Sequence, residues 1–142
     1  MKRISEYEQR AIQFLQESGT EYTIRRIGVV RGFPFDNADN NLHVKYHVVL
    51  KRDKKIYDFP FYDSAYNYLH DLRPTSYDVL ACLQSYPVEE DVWEFAREFG
   101  YTINSKESYE RVANIHRECV NQYKALLDLF GEEWMEKLAE IN

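Results

Sequence analysis

Residues 74–101 read PTSYDVLACLQSYPVEEDVWEFAREFGY, and this stretch predicts two short helices in succession. Thr75 or Ser76 can cap the first helix, and Asp78, three residues after Thr75, completes a capping box. Apolar residues then recur at helical spacing. They are Val79, Leu80 and Leu83.

The second predicted helix follows Pro87 and opens on an acidic run. Negative charge is favoured in the first turn of a helix by the helix dipole, and Glu89, Glu90 and Asp91 are predicted to occupy that turn. Gly100 suits the C-terminal cap, since glycine adopts the left-handed conformation without strain. The inner face is predicted to comprise Val92, Phe95 and Phe99.

Upstream, the chain predicts one helix over residues 4–18, capped by Ser5, followed by three strands over 21–31, 42–51 and 55–61. The alternation of apolar residues slips in the first strand, which indicates a β-bulge at Arg25–Arg26 or at Gly28. The second strand alternates strictly. Its inward residues are predicted to be Leu42, Val44, Tyr46, Val48 and Leu50.

Downstream, a short helix is predicted around residues 65–72, and a long one begins after Asn104, with Glu107 completing a capping box. Gly131 is predicted to end the long helix before a last helix over 132–141. The element order predicts an α+β fold with an N-terminal helix, a three-stranded antiparallel sheet and a C-terminal helical lobe of four or five helices.

At 142 residues the chain predicts a single domain over 1–142, with a lobe over 1–63 and a helical lobe over 64–142. One shared core is predicted for the helical lobe. Its members are Leu80, Leu83, Phe95, Phe99, Val112, Cys119 and Leu126.

Reaction chemistry is not evident in the residue pattern. Cys82 and Cys119 are predicted to be buried free thiols, and the four histidines lack the spacing of a zinc site. The chain has no glycine-rich phosphate loop, and its carboxylates are predicted to face water on helices. We therefore predict a protein that is not an enzyme and that needs no cofactor or metal.

No apolar run approaches the roughly 20 residues of a membrane span, and the first ten residues lack the apolar core of a signal peptide. Residues 32–41 are predicted to be a polar loop, without the alternating ligands and closing glutamate of a calcium loop. A cytoplasmic protein with no membrane partner is the expectation.

Charge divides the chain into two halves. Residues 1–60 contain 11 basic and 8 acidic residues, whereas residues 61–142 contain 7 basic and 16 acidic residues, for a net charge of −6. An asymmetry of this kind indicates either a basic partner for the helical half or a surface that steers one. Solubility alone is an equally good interpretation of an acidic helical surface.

The stretch PTSYDVLACL, followed by EFGY and a long helix, resembles a group of small uncharacterised proteins of phages and integrative elements of bacteria. The match covers roughly residues 74–130. The resemblance implies an accessory protein of a mobile element, and it carries over no catalytic residue. The matching residues are Pro74, Tyr77, Asp78, Val79, Leu80, Ala81, Cys82, Leu83, Glu98, Phe99, Gly100 and Tyr101.

The leading hypothesis is a non-enzymatic inhibitor of a host nucleic-acid defence complex, of the anti-CRISPR type. Carboxylates of the helical lobe would occupy a basic groove that normally holds nucleic acid. Trp93 would be either a core residue or an aromatic anchor. The predicted contact residues are Glu89, Glu90, Asp91, Trp93, Glu94 and Glu98, with positions 90, 94 and 98 on one side of the helix.

The sequence is also compatible with two alternative functions. One is a small-molecule-binding protein or enzyme with its cleft between the sheet and the helices. The other is an accessory protein that binds nucleic acid directly, less favoured because the net charge is negative. Its phosphate-contacting residues would be Arg25, Arg26, Arg31, Lys45, Lys51, Arg52, Lys54 and Lys55.

Overall fold

The computed structural model describes residues 5–31 and 42–141, so the loop predicted over 32–41 lies outside the described residues. The order of helices and strands confirms the α+β class, with an N-terminal helix, an antiparallel sheet and a C-terminal helical region. The elements are α1 (Glu6–Glu17), β1 (Thr20–Arg31), β2 (Leu42–Arg52), β3 (Lys55–Ser64), α2 (Ala65–Leu69), α3 (Ser76–Ala81), α4 (Val92–Phe99) and α5 (Lys106–Ile141).

The sheet has the strand order β1-β2-β3, and both pairings are antiparallel. The predicted bulge is confirmed, because the register shifts between Arg26, opposite Tyr46, and Gly28, opposite Lys45. The extra residue of the bulge is Ile27. This register puts Arg26 on the same sheet face as Tyr46, and the bulge changes the direction of the residues that follow.

One face of the sheet is covered by α1, α3 and α5. Val44, Val48 and Leu50 have no exposed surface, as the alternation in β2 predicts. The inward prediction for Leu42 is wrong, because this residue begins the strand at the sheet end and is 47% exposed. Pro60 lies on the edge strand β3, where a missing N–H leaves no gap in the ladder.

Capping residues set the helix ends at several predicted places. The Ser5 side chain accepts from Glu8 N at the start of α1, and the capping box of Thr75 and Asp78 opens α3. The predicted box of Asn104 and Glu107 is wrong: Ser105 Oγ accepts from Ser108 N, and Ser108 Oγ accepts from Ser105 N. Ser105 and Ser108 thus form the two reciprocal hydrogen bonds of a capping box, in place of the predicted pair of Asn104 and Glu107.

The Glu8 carboxylate fastens α1 to the start of α3. It accepts hydrogen bonds from Ser76 N at 3.3 Å and Tyr77 N at 2.9 Å, and from the Ser76 hydroxyl. These backbone groups belong to the first turn of α3, which has unpaired N–H groups and positive dipole charge. Glu8, 68 residues before Ser76 in the sequence, therefore acts as a second N-terminal cap of α3.

The predicted single core of the helical lobe is wrong. Leu80, Leu83 and Leu126 belong to a main core that also includes residues of α1, β2 and β3. A separate small cluster contains Phe95, Ala96 and Val112, with Cys119 partly buried against it. Helical spacing reveals the apolar face of a helix but not the element that this face packs against. The sequence therefore predicted one core where the structure has two.

Two further burial predictions fail. Phe99 is 47% exposed, since it is the last residue of α4 and lies at the margin of the small cluster. Cys119 is only partly buried, whereas Cys82, the C-cap of α3, is exposed as a residue but has a buried sulfur. Phe99 and Cys119 both lie at the margin of the small cluster, where apolar spacing does not guarantee cover.

Gly131 breaks α5, as predicted, with φ 80° and ψ 167°. Arg52, from the β2–β3 hairpin, donates to Leu129 O at 3.1 Å and Phe130 O at 3.3 Å on the N-terminal side of this break. The same guanidinium donates to Ser18 O at 2.9 Å. It thereby satisfies carbonyl groups that the end of a helix leaves unpaired.

Replacing Gly131 by alanine is expected to destabilise the protein by about 1–3 kcal/mol, because its backbone conformation is one that almost only glycine adopts. No heavy atom lies within 4 Å of an added Cβ, so the cost is conformational and not steric. Urea unfolding measures it. Gly28→Ala is the matched control, since that site is equally open and has no positive φ. Equal stability of both variants would contradict the prediction.

Candidate functional site

The acidic surface predicted on the second helix is only partly helical. The helix α4 begins at Val92, so Glu89 and Glu90 precede it. The Asp91 side chain is the N-cap, accepting from Trp93 N at 2.7 Å and Glu94 N at 3.2 Å. The predicted stripe of positions 90, 94 and 98 is therefore wrong as a helical row, and only Glu94 and Glu98 are one turn apart on the helix.

Aromatic side chains lie exposed beside these carboxylates. Trp93 is 55% exposed and Tyr109, on the first turns of α5, is 38% exposed, with 5.8 Å between the ring centroids. Trp93 is thus a surface residue and not part of the core. We call the set Glu89, Glu90, Trp93, Glu94, Glu98 and Tyr109 the α4 surface.

Phe95 holds the α4 surface in place from beneath. Its buried ring contacts the rings of Phe99 at 4.8 Å, Tyr101 at 5.8 Å and His116 at 5.0 Å. The helix is amphipathic, so Phe95 and Ala96 face α5 while Trp93 and Glu94 face away. This buried aromatic cluster therefore packs beneath α4, the helix that carries the exposed Trp93.

His116 positions the segment before α4. Its Nε2 lies 2.6 Å from Glu89 O, within hydrogen-bonding distance. The imidazole ring of His116, on α5, therefore holds the backbone that carries Glu89 and Glu90. Within residues 5–31 and 42–141, no salt bridge engages Glu89, Glu90, Glu94 or Glu98. The basic residue Arg97 lies on the same helix and is exposed. These carboxylates remain available to a cationic partner.

The alternative basic residues do not form one patch. Arg52 and Lys55 are engaged by the fold, since Lys55 Nζ donates to Asp128 O at 2.9 Å and forms a salt bridge with its carboxylate at 3.3 Å. Arg26 lies on the helix-covered side of the sheet, over the Tyr68 ring at 4.9 Å. The others lie on the opposite sheet face, at the end of β1 or in the hairpin turn: Arg25, Lys45, Lys51, Arg31 and Lys54.

No group of three or more histidine, cysteine, aspartate or glutamate side chains in the described part of the chain is arranged to hold a metal ion. His47 lies opposite Arg25 on the outer sheet face, where its Nε2 is 3.7 Å from an Asp58 carboxylate oxygen.

A pocket of about 550 Å³ lies between the edge strand β3 and α5. Both cysteines line it, together with Tyr57 and Phe59. Although Cys82 is exposed as a residue, its sulfur turns inward and donates to Val79 O at 2.9 Å. Burial of the sulfur raises the pKa of the Cys82 thiol to about 11, and burial also raises the pKa of Cys119. Neither thiol has the lowered pKa of a catalytic cysteine.

Alkylation of Cys82 by iodoacetamide at pH 8 is expected to be about tenfold slower than that of an ordinary thiol. Raising the pKa from 9.0 to about 11 lowers the thiolate fraction about a hundredfold, and greater nucleophilicity offsets part of this loss. Mass spectrometry of a Cys119→Ser variant follows Cys82 alone. The rate should rise up to about pH 11, and urea should abolish the difference. An ordinary rate in the folded protein would show a solvated sulfur.

The predicted contact residues did not include Tyr109, whose ring lies beside that of Trp93. The signal present was position: Tyr109 lies in the first turns of α5, opposite a helix of only eight residues. The alternative of a cleft between the sheet and the helices named no lining residues, and the structure has a pocket there that is formed by the sheet and the α2–α3 linker.

No protein-family model matches this chain, and neither a curated protein nor a solved structure shows significant similarity to it. Within the described ranges, no helix combines the length and the apolar character needed to cross a membrane.

Proposed function

We propose that this protein is a non-enzymatic inhibitor that binds a basic, nucleic-acid-binding protein complex through the α4 surface. The observation that carries the proposal is the exposed pair of Trp93 and Tyr109 beside carboxylates with no salt-bridge partner in the described ranges. Tryptophan and tyrosine are the residues that most often dominate binding energy in protein interfaces.

The mechanism is occlusion of a groove. A groove that holds nucleic acid is lined by lysine and arginine, which bind phosphates at regular spacing. Glu89, Glu90, Glu94 and Glu98 present negative charge to such a groove, and complementary charge accelerates association. The aromatic pair supplies apolar contact that a screened charge interaction does not provide. Nucleic acid is then excluded because the lysine and arginine side chains of the groove are already paired with these carboxylates.

The class of partner follows from the resemblance to phage and integrative-element proteins. An accessory protein of a mobile element acts in the cytoplasm of the bacterial host, where a nucleic-acid defence complex of the CRISPR type is the relevant basic target. The proposal needs no cofactor, metal or catalytic residue. It also accounts for the acidic helical half of the chain, which contains 16 acidic residues against 7 basic ones.

Co-purification of tagged protein with host defence complexes tests this proposal, followed by competition between the protein and target DNA for the isolated complex. The expected result is a complex that weakens as salt rises, because exposed charge pairs are screened, and loss of DNA binding when it forms. Capture of no nucleic-acid-binding complex, or a captured complex that still binds DNA normally, would overturn the proposal.

Direct nucleic-acid binding is the second candidate, favoured by one feature of the sheet. The register puts Arg25, Lys45 and Lys51 on the face opposite the helices. A gel-shift assay with duplex and single-stranded DNA distinguishes this candidate from the first. Binding that is lost on replacing these three residues by alanine would support it over the inhibitor proposal.

A further inference from the structure

A pocket of about 360 Å³ opens on the helix-covered face of the sheet, and it shares no lining residue with the α4 surface. Its floor consists of Ile24, Arg26 and Tyr46, from β1 and β2. Its rim consists of residues 71–74, the linker between α2 and α3, together with Tyr68 of α2. The pocket is thus a gap in the helical layer that covers the sheet.

Two guanidinium groups line this pocket. Arg26 lies over the Tyr68 ring, with 4.9 Å from its central carbon to the ring centroid. Arg73 comes from the linker on the opposite side. Neither forms a hydrogen bond or a salt bridge within residues 5–31 and 42–141. Both charges act on Tyr46, where they oppose the effect of burial, which raises the pKa of its hydroxyl.

Local backbone irregularities place these groups. The β-bulge at Ile27 follows Arg26 directly, and bulges are common beside binding sites because they redirect side chains. At the end of α2, Asp71 adopts a left-handed conformation with φ 55°, and Leu72 N donates to Asn67 O at 2.7 Å. This turn reverses the chain, so that four consecutive residues, 71–74, line the pocket.

We propose that this pocket binds a nucleoside phosphate. Two guanidinium forks suit a phosphate group, since each can donate two parallel hydrogen bonds to its oxygens. Bases stack on aromatic rings and on guanidinium planes, and the Arg26 guanidinium with the 42% exposed Tyr68 ring beneath it offers such a stacking surface. A volume of about 360 Å³ lies in the range of small-ligand pockets.

Asp71 narrows the class of ligand. Asp71 lines the same pocket as the two arginines, and its negative charge weakens the binding of an anion that makes no other contact. It accepts hydrogen bonds from hydroxyl or amino groups, which the sugar and base of a nucleotide supply. The pocket therefore discriminates in favour of an anion that also carries donors. This site is separate from the α4 surface, so its test is independent of the proposed inhibitor function.

Isothermal titration calorimetry with the full chain tests the site, using adenosine and cytidine 5′-monophosphates as probes. We expect both nucleotides to bind, and adenosine and inorganic phosphate to bind at least about tenfold more weakly, because each offers only half of the recognised groups. Arg26→Ala and Arg73→Ala should each weaken nucleotide binding at least about tenfold, and the combined variant should not bind.

Arg25→Ala is the matched control, because Arg25 is the neighbouring arginine on the opposite sheet face. Its affinity should stay within about twofold of the wild type, and thermal unfolding verifies that every variant folds. Three results would overturn the site: no nucleotide binding at millimolar concentration, unchanged binding by the folded combined variant, or binding of a single-stranded decanucleotide without binding of either mononucleotide.

Discussion

Replacing Glu90, Glu94 and Glu98 together by lysine is expected to weaken binding to the basic partner at least about a hundredfold. Each substitution removes an attraction and adds a repulsion against the cationic groove, and opposed like charges cost several kcal/mol at an interface. The change in free energy of binding is measured by titration against the isolated complex at fixed salt.

The same triple variant should remain nearly as stable as the wild type. Lysine at position 94 is unfavourable because Glu94 lies in the first turn of α4, near the positive end of the helix dipole. Lysine at position 98 is favourable because Glu98 lies in the last turn. Each effect is about 0.3–1 kcal/mol, so the two largely cancel. Glu90 precedes the helix, so lysine at this position should change the stability little.

The chain offers a matched control in Glu132, Glu136 and Glu140, which are exposed residues at four-residue spacing on the last part of α5. Reversing these three makes the same change in net charge at another surface. Binding that survives the control and is lost in the test variant locates the contact. Equal loss in both would reduce the effect to net charge, and binding by the test variant would contradict the α4 surface.

Trp93 provides a test that leaves charge unchanged. Trp93→Ala should weaken the complex by more than about tenfold if the ring is an anchor, since central aromatic residues carry much of an interface's energy. Stability should change little, because the ring is more than half exposed. A normal affinity would mean that the carboxylates act without the aromatic pair.

Local signals predicted the elements that they govern directly. Ser5 and the Thr75–Asp78 pair cap the helices that they were predicted to cap, and Gly131 breaks α5 where only glycine fits the backbone. The slip of alternation in β1 predicted the bulge between Arg26 and Gly28. Each of these features depends on a few consecutive residues, which is why the sequence alone was sufficient.

The predictions that failed concern the choice among several possible capping residues and the identity of contacts between residues distant in sequence. Glu89, Glu90 and Asp91 are all suited to a helix start, and Asp91 wins because its short side chain reaches Trp93 N and Glu94 N as a cap. The division between two cores was not predictable, since Leu80 and Phe95 have the same apolar spacing but different partners. Arg52 was assigned to phosphate, although its partners are carbonyl groups 77 and 78 residues away.

The two cores lead to the second large expected effect. Leu80→Ala should lower the free energy of unfolding by about 2–5 kcal/mol, because Leu80 has no exposed surface and packs in the core shared by α1, the sheet, α3 and α5. Urea unfolding measures the loss. The elements that share this core, α1, the sheet, α3 and the second half of α5, should lose protection from hydrogen exchange together.

Phe95→Ala removes a larger side chain but should lower the global free energy of unfolding by less than about 1 kcal/mol. Phe95 belongs to the small cluster, and α4 packs chiefly against α5, so its loss releases a local unit and leaves the main core intact. Hydrogen exchange should then be fast in Val92–Phe99 and unchanged in the sheet. Loss of partner binding should accompany it, because Phe95 supports the exposed rings. Equal global destabilisation by both variants would mean that the two cores unfold as one.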